Sequence, residues 1–203
     1  GSSPGNDIIG RIYDPEGNPV TAEFRVNSFG TANNERDFDL AALPNGNFVV
    51  VYERADITTG NVDICIDVVS PTGTNIQGAF IVSDAAGDPA YRNPVVSVSS
   101  NSSVLVAYEE VTAGVATIEG KIYNPTTNTV GSQIGLIAFS GGDTDSDVTT
   151  LTNGNYVITG VHNEAGDNRI IYRIVNSAGT NVLAVTTVTD TDGNTFNDRE
   201  PSV

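Results

Sequence analysis

The chain has 203 residues, 25 acidic side chains against 9 basic ones, a formal net charge of −16, one cysteine and one histidine. That charge repels phosphate backbones and anionic lipid, so it disfavours nucleic acid as a partner. The lone Cys65 leaves no intrachain disulfide, and no run of about 18 apolar residues exists for a membrane span.

Abundant Val, Ile and Thr, 21 glycines and no long stretch of helical apolar spacing place the chain in the all-β class. Lys121 is the only lysine. An acidic, lysine-poor composition points to an extracellular or cell-surface setting, where cations screen the self-repulsion. The opening Gly1-Ser2-Ser3-Pro4-Gly5 reads as a tag scar or a processed end.

In chain order, the first element is a strand over 8–14, turned by Pro15-Glu16-Gly17-Asn18 into a second strand over 22–26. This hairpin recurs at 64–70, 118–124 and 170–176, each followed by a polar turn. Ile8, Ile64, Ile118 and Ile170 share one position, and Ile12, Val68, Ile122 and Ile174 share another on the same side. Arg11, Asp67, Lys121 and Arg173 form a column between them, which reads as a solvated face or a set of charge pairs. Cys65 reads as a partly covered thiol within a sheet.

Leu43-Pro44-Asn45-Gly46-Asn47-Phe48-Val49 recurs 108 residues later as Leu151-Thr152-Asn153-Gly154-Asn155-Tyr156-Val157, with a weaker copy at 98–104 between them. The period is about 54 residues. The Asn-Gly pair predicts a two-residue hairpin turn with positive φ. Each repeat then holds four strands: about 38–43, 48–53, 63–70 and 77–83 in the first, 94–98, 104–110, 117–124 and 134–139 in the second, and 147–151, 156–162, 169–176 and 182–189 in the third.

Four short antiparallel strands per repeat, repeated and stacked, predict an all-β propeller of about four blades with the fourth incomplete. The repeats fall at about 35–90, 91–143 and 144–197 of one domain over 1–203, and the partial blade combines 5–34 with 198–203. Its missing second strand has two readings: the chain is a segment of a longer array, or another copy donates the strand.

The runs Leu43 to Tyr52 (LPNGNFVVVY), Ile8 to Val20 (IIGRIYDPEGNPV) and Glu23 to Asn27 (EFRVN) resemble the tandem repeats of very large secreted adhesin-like and hemolysin-type calcium-binding bacterial proteins. The pattern departs at Tyr52 and Tyr108, which stand for Trp, at Gly160, and at Arg11 and Ile12. The resemblance implies an extracellular, non-catalytic structural or adhesive module. It carries no catalytic residue across.

His162 lacks a nucleophile motif beside it and reads as an exposed strand-end residue. The acidic loops are the stronger lead. Asp143, Asp145 and Asp147, and then Asp190, Asp192 and Asn194, alternate oxygen ligands as calcium requires, and the same pattern is that of ordinary Asx-rich turns, so calcium is one of two readings there. Phe29, Tyr91, Phe139 and Phe196 lie near the same connections, where an aromatic beside polar groups suits a glycan.

These observations predict a non-enzymatic structural or adhesive unit whose main partner is other copies of itself, joined by strand donation into a filament. A carbohydrate-binding, lectin-like propeller is the alternative. A propeller hydrolase ranks third, since only Asp39 and Asp147 are expected near the channel.

Overall fold

The structure, a computed structural model, describes residues 5–30, 33–83, 90–138, 142–164 and 167–188. It is all-β and antiparallel. A two-stranded sheet, β1 (Ile9–Gly10) with β2 (Phe24–Arg25), precedes the first full sheet of β3 (Asn33–Ala42), β4 (Phe48–Asp56), β5 (Val62–Val69) and β6 (Asn75–Ile81) in that order. The second sheet is β7 (Ala90–Val98), β8 (Val104–Thr112) and β9 (Val115–Asn124), with the short β10 (Thr129–Val130) and β11 (Ile134–Ile137) both on β9. The third is β12 (Asp143–Thr150), β13 (Tyr156–Glu164), β14 (Asp167–Val175) and β15 (Asn181–Thr187). Sequential strands pair with their neighbours throughout, as blades of a propeller do.

The sheets stack in chain order, and β8 shows why. Its Val104, Val106 and Tyr108 share a core with Val49, Val51, Ile64 and Ile66 of the first sheet. The intervening Leu105 and Ala107 share another with Tyr156, Ile158 and Ile171 of the third. Successive side chains of a strand point to opposite faces, so a sheet covered on both sides needs an unbroken apolar run. Val104-Leu105-Val106-Ala107-Tyr108 supplies it, and all five are fully buried. Burial of each Val or Leu contributes roughly 1.5–3 kcal/mol.

The hairpin turns differ from expectation by one residue. Gly46 N donates to Leu43 O at 3.0 Å, Leu43 N donates to Asn47 O at 2.7 Å, and Gly46 alone takes a left-handed φ of 85°. This is a three-residue loop, a type I turn closed by a glycine bulge. Ser102 (φ 66°) and Gly154 (φ 83°) repeat it. Asn45, Asn101 and Asn153 each accept the backbone N–H two residues on, at 3.1, 2.9 and 3.0 Å. The side chain holding the turn explains why Asn stands there.

Of the column of Arg11, Asp67, Lys121 and Arg173, Arg11 is exposed but Asp67 and Lys121 do not belong to a solvated face. Asp67 and Lys121 are 1% and 6% exposed. Asp67 accepts from Tyr52 Oη at 2.7 Å and from Ser28 Oγ at 2.8 Å, while Arg173 donates to Leu136 O at 2.8 Å, so the column ties adjacent sheets together. Burial pushes the Asp67 carboxyl up and the hydrogen bond from Tyr52 opposes it. Cys65 is fully buried, and burial raises its thiol far above the usual range.

Candidate functional site

The first strand of every full sheet carries a β-bulge. The pairing register slips between Arg36 and Phe38 in β3, between Arg92 and Val95 in β7, and between Thr144 and Asp147 in β12. In each case a non-glycine residue adopts a left-handed φ: 44° at Asp37, 52° at Asn93 and 51° at Asp145. Asp and Asn tolerate this conformation because their short side chains bond locally. These three residues are equivalent in the repeat, and each expected first strand began just past its bulge. The observed strands start four to five residues earlier because the slip breaks the period-2 pattern on which the expectation rested.

The three bulges converge. Asp37, Asn93 and Asp145, with Phe38, Pro94, Val95 and Ser146, line one cavity of 320 Å³ where the first strands meet. Phe38 is 56% exposed there. Ser146 is only 9% exposed, and its buried Oγ has no hydrogen-bond partner in the protein. A buried hydroxyl without a partner calls for water or a ligand group.

Two buried glutamates hold the bulges from behind. Glu53 on β4 accepts Asn93 N at 2.9 Å and Arg36 Nε at 2.8 Å. Glu109 on β8 accepts Asp145 N at 3.0 Å, Asn93 Nδ2 at 2.9 Å and Arg92 Nε at 2.6 Å. Their residues are 2% and 0% exposed. The glutamate of one sheet therefore receives the N–H that the next sheet's bulge releases from its own ladder, a charge-assisted bond. Burial raises the Glu53 carboxyl above the ordinary range. Asp39 adds a further tie, its Oδ2 accepting Val96 N at 2.8 Å.

Asp143, Asp145 and Asp147, expected together around calcium, are separated. Alternation alone would set Asp143, Asp145 and Asp147 on one face, but the bulge between them breaks it. Asp143 is fully buried and bonded to His162 Nδ1 at 2.8 Å, Asp145 lines the cavity, and Asp147 Oδ1 accepts Val148 N at 2.8 Å. Among the described residues no group of three Asp, Glu, His or Cys side chains is gathered for a metal ion. Asp190, Asp192 and Asn194 lie outside the described residues, as do Phe139 and Phe196.

His162 is 9% exposed rather than an exposed strand end, because Asp143 faces it directly across the β12–β13 ladder. Of the other aromatics, Tyr91 is buried edge-on against Tyr108, and Phe29 lies under Arg54 at 4.5 Å. The sequence pointed to Asp145 only as a calcium ligand beside Asp143 and Asp147, and did not group it with Asp37, Asn93 and Phe38. The visible signal was Arg36-Asp37 recurring as Arg92-Asn93.

No family model matches the chain, and no curated protein sequence matches it. Solved structures do match in fold. A Penicillium chrysogenum α-L-arabinanase complexed with arabinobiose superposes with a TM-score of 0.61 at 14% identity over 88% of this chain and 56% of its own. A Phanerochaete chrysosporium exo-β-1,3-galactanase with β-1,3-galactotriose gives 0.56 at 11% identity, covering 90% of this chain and 44% of its own. A family 117 glycoside hydrolase from Zobellia galactanivorans gives 0.55 at 11% identity, covering 93% and 70%. The chain is a partial β-propeller, sharing its fold with carbohydrate-active enzymes and spanning about half the length of the first two.

These findings overturn the resemblance to adhesin-like and hemolysin-type calcium-binding repeats, since the likeness lies with propeller glycoside hydrolases. The residues that carried the resemblance have a plainer cause. Asn45-Gly46 closes a hairpin and Val49 to Tyr52 fills a strand buried on both faces, both of which a propeller blade needs whatever its ancestry.

Proposed function

We propose that this chain is an extracellular carbohydrate-binding propeller unit that takes an oligosaccharide, without cleaving it, in the cavity where its first strands meet. The observation that carries the reading is the convergence of Asp37, Asn93 and Asp145 on one cavity with exposed Phe38 and the unpartnered Ser146 hydroxyl. Sugar hydroxyls both donate and accept, which suits a mixed set of carboxylate, amide and hydroxyl groups. The C–H face of a pyranose or furanose packs on an aromatic ring, which Phe38 offers. The fold neighbours solved with arabinobiose and β-1,3-galactotriose make these two sugars the first probes.

Calorimetric titration with both sugars, backed by a glycan array, tests the reading. At least one glycan is expected to bind saturably, and Asp145→Ala is expected to weaken it tenfold or more, about 1.4 kcal/mol. Absence of glycan binding overturns the proposal. Release of reducing ends that Asp145→Ala abolishes would make the chain a hydrolase instead. A self-associating structural unit is the second reading, favoured by the exposed apolar residues Ile9 and Leu40.

A further inference from the structure

The bulges at Asn93 and Asp145 each turn a backbone N–H out of its ladder, the kind of donor that would otherwise be free to hold an anionic oxygen. Neither is free. Asn93 N donates to Glu53 at 2.9 Å and Asp145 N donates to Glu109 at 3.0 Å, so buried carboxylates behind the cavity consume both. The Asn93 side chain is committed in the same direction. Its Nδ2 donates to Glu109 at 2.9 Å, which leaves the carbonyl oxygen as the free end of the amide.

The nearby cations are committed as well. Arg36 Nε is held by Glu53 at 2.8 Å and Arg92 Nε by Glu109 at 2.6 Å, and neither arginine lines the cavity. Among the described residues that do line it there is no Arg, Lys or His. Asp37 Oδ2 lies 3.4 Å from Arg36 Nε, but that guanidinium already answers Glu53. Asp145 Oδ2 accepts from the neutral Thr144 hydroxyl at 3.4 Å. Arg36 and Arg92 thus stand against Glu53, Glu109, Asp37 and Asp145, and the excess acid is on the cavity side.

What faces the cavity is therefore a set of acceptors beside the exposed Phe38 ring, whose π face is also negative. The Ser146 Oγ, buried and unpartnered, belongs to the same wall and accepts as well as donates. A sugar hydroxyl can donate to such a set. An ammonium does so with three N–H groups, the opposite charge and no acceptor left unpaired. A uronate brings acceptors and charge of the wrong sign.

Building on the sugar-site reading, we propose that the glycan taken in this cavity is an amino sugar with a free, protonated amine, a deacetylated hexosamine oligomer, and that Asp37 and Asp145 select it over neutral and acidic sugars. The ammonium answers the two carboxylates and the Phe38 ring, and the Ser146 hydroxyl serves a sugar oxygen. Acetylation of the amine removes the charge and most of the donors, so it removes the preference.

The test is calorimetric titration of the full chain at about pH 6, where carboxylates are ionised and an amine is protonated. The probes are the glucosamine trisaccharide, its fully N-acetylated form and the galacturonic acid trisaccharide. The free amine is expected to bind about tenfold more tightly than its acetylated form, and the acidic trisaccharide not at all. Asp37→Asn and Asp145→Asn keep the side-chain shape and tolerate the left-handed backbone, and each is expected to cut the preference by about threefold or more. Glu16→Gln, an exposed acid in the first turn, is expected to leave it unchanged. Equal binding of the free and acetylated trisaccharides, or tighter binding of the acetylated or acidic one, overturns the inference and leaves the sugar site standing. If no glycan binds, the neutral probes of the sugar-site test included, the sugar-site reading itself falls and this inference with it. A preference that survives both aspartate substitutions, or that Glu16→Gln reduces as much, is diffuse attraction to a chain of net charge −16 and overturns the inference. So does a preference that appears only with added calcium and vanishes with chelator, because the ion then answers the carboxylates.

Discussion

At the position of Glu53 the second strands of the first two sheets differ from that of the third, and the difference comes as a pair. β4 and β8 carry Glu53 and Glu109, each directly opposite an arginine, Arg36 or Arg92, across the ladder to the first strand. β13 carries Val161 there, opposite Thr144. Acid and base are thus present together or absent together. The half-exposed guanidinium offsets the buried carboxylate, which alone would be an uncompensated buried charge. The pair also has a task outside its own sheet, since both glutamates reach forward to the bulge of the following blade. The cavity is shaped by this forward reach as well as by the residues that line it.

A large effect is expected from removing the more fully buried acid. Glu109→Ala leaves the N–H of Asp145 and the Asn93 amide without their acceptor, so urea denaturation is expected to show a loss of about 1–3 kcal/mol. An unchanged midpoint would mean the relay carries no stability. The converse experiment transplants it into the third sheet. Val161→Glu alone is expected to cost about 3 kcal/mol, because Val161 is 3% exposed and Thr144 offers no charge. Adding Thr144→Arg is expected to recover more than half of that loss. A double variant as unstable as the single one would show that cross-strand pairing is not the reason for the covariation.

A smaller effect is expected from pH. Burial raises the carboxyls of Glu35, Glu53 and Asp67 above their ordinary values. The native state therefore binds more protons than the unfolded chain between the two sets of values. The stability these groups contribute is present below the unfolded values near 4 and is lost as pH rises through the folded ones. The melting temperature is expected to rise by about 3 °C between pH 7 and pH 5, or roughly 1 kcal/mol. Glu35→Gln is expected to flatten that slope, since both Glu35 oxygens are buried without a hydrogen-bond partner. A melting temperature that falls on acidification would reverse the sign of the account.

The smallest effect is expected at an exposed residue, set against a buried one. Ile118, fully buried between the second and third sheets, is expected to cost about 2–5 kcal/mol as Ile118→Ala. Leu40→Ala, at a position 55% exposed, is expected to stay within about 0.5 kcal/mol of the parent in the same denaturation assay. A large loss at Leu40 would show that this side chain is covered.

Much of this architecture was legible beforehand from particular residues. Asn45-Gly46 and Asn153-Gly154 marked the turns, and their spacing of 108 residues marked the repeated four-stranded sheets. The site was not legible. Asp37, Asn93 and Asp145 looked like polar loop residues because a bulge erases alternation at the point where it matters. Asp143 and Asp147 looked like partners of Asp145, and the same bulge sent them elsewhere. Asp67 and Lys121 looked solvated because a single strand does not record whether a neighbouring sheet covers its polar side.

The amino-acid order alone determined the repeat period and the places of the turns, because these depend on side-chain volume, alternation and backbone preference within a few residues. Only the tertiary structure decided which polar residues are buried and which of the first-strand polar residues line one cavity. Those outcomes depend on the register between strands and on stacking of one sheet against the next, brought about by residues some 40 to 60 positions apart along the chain.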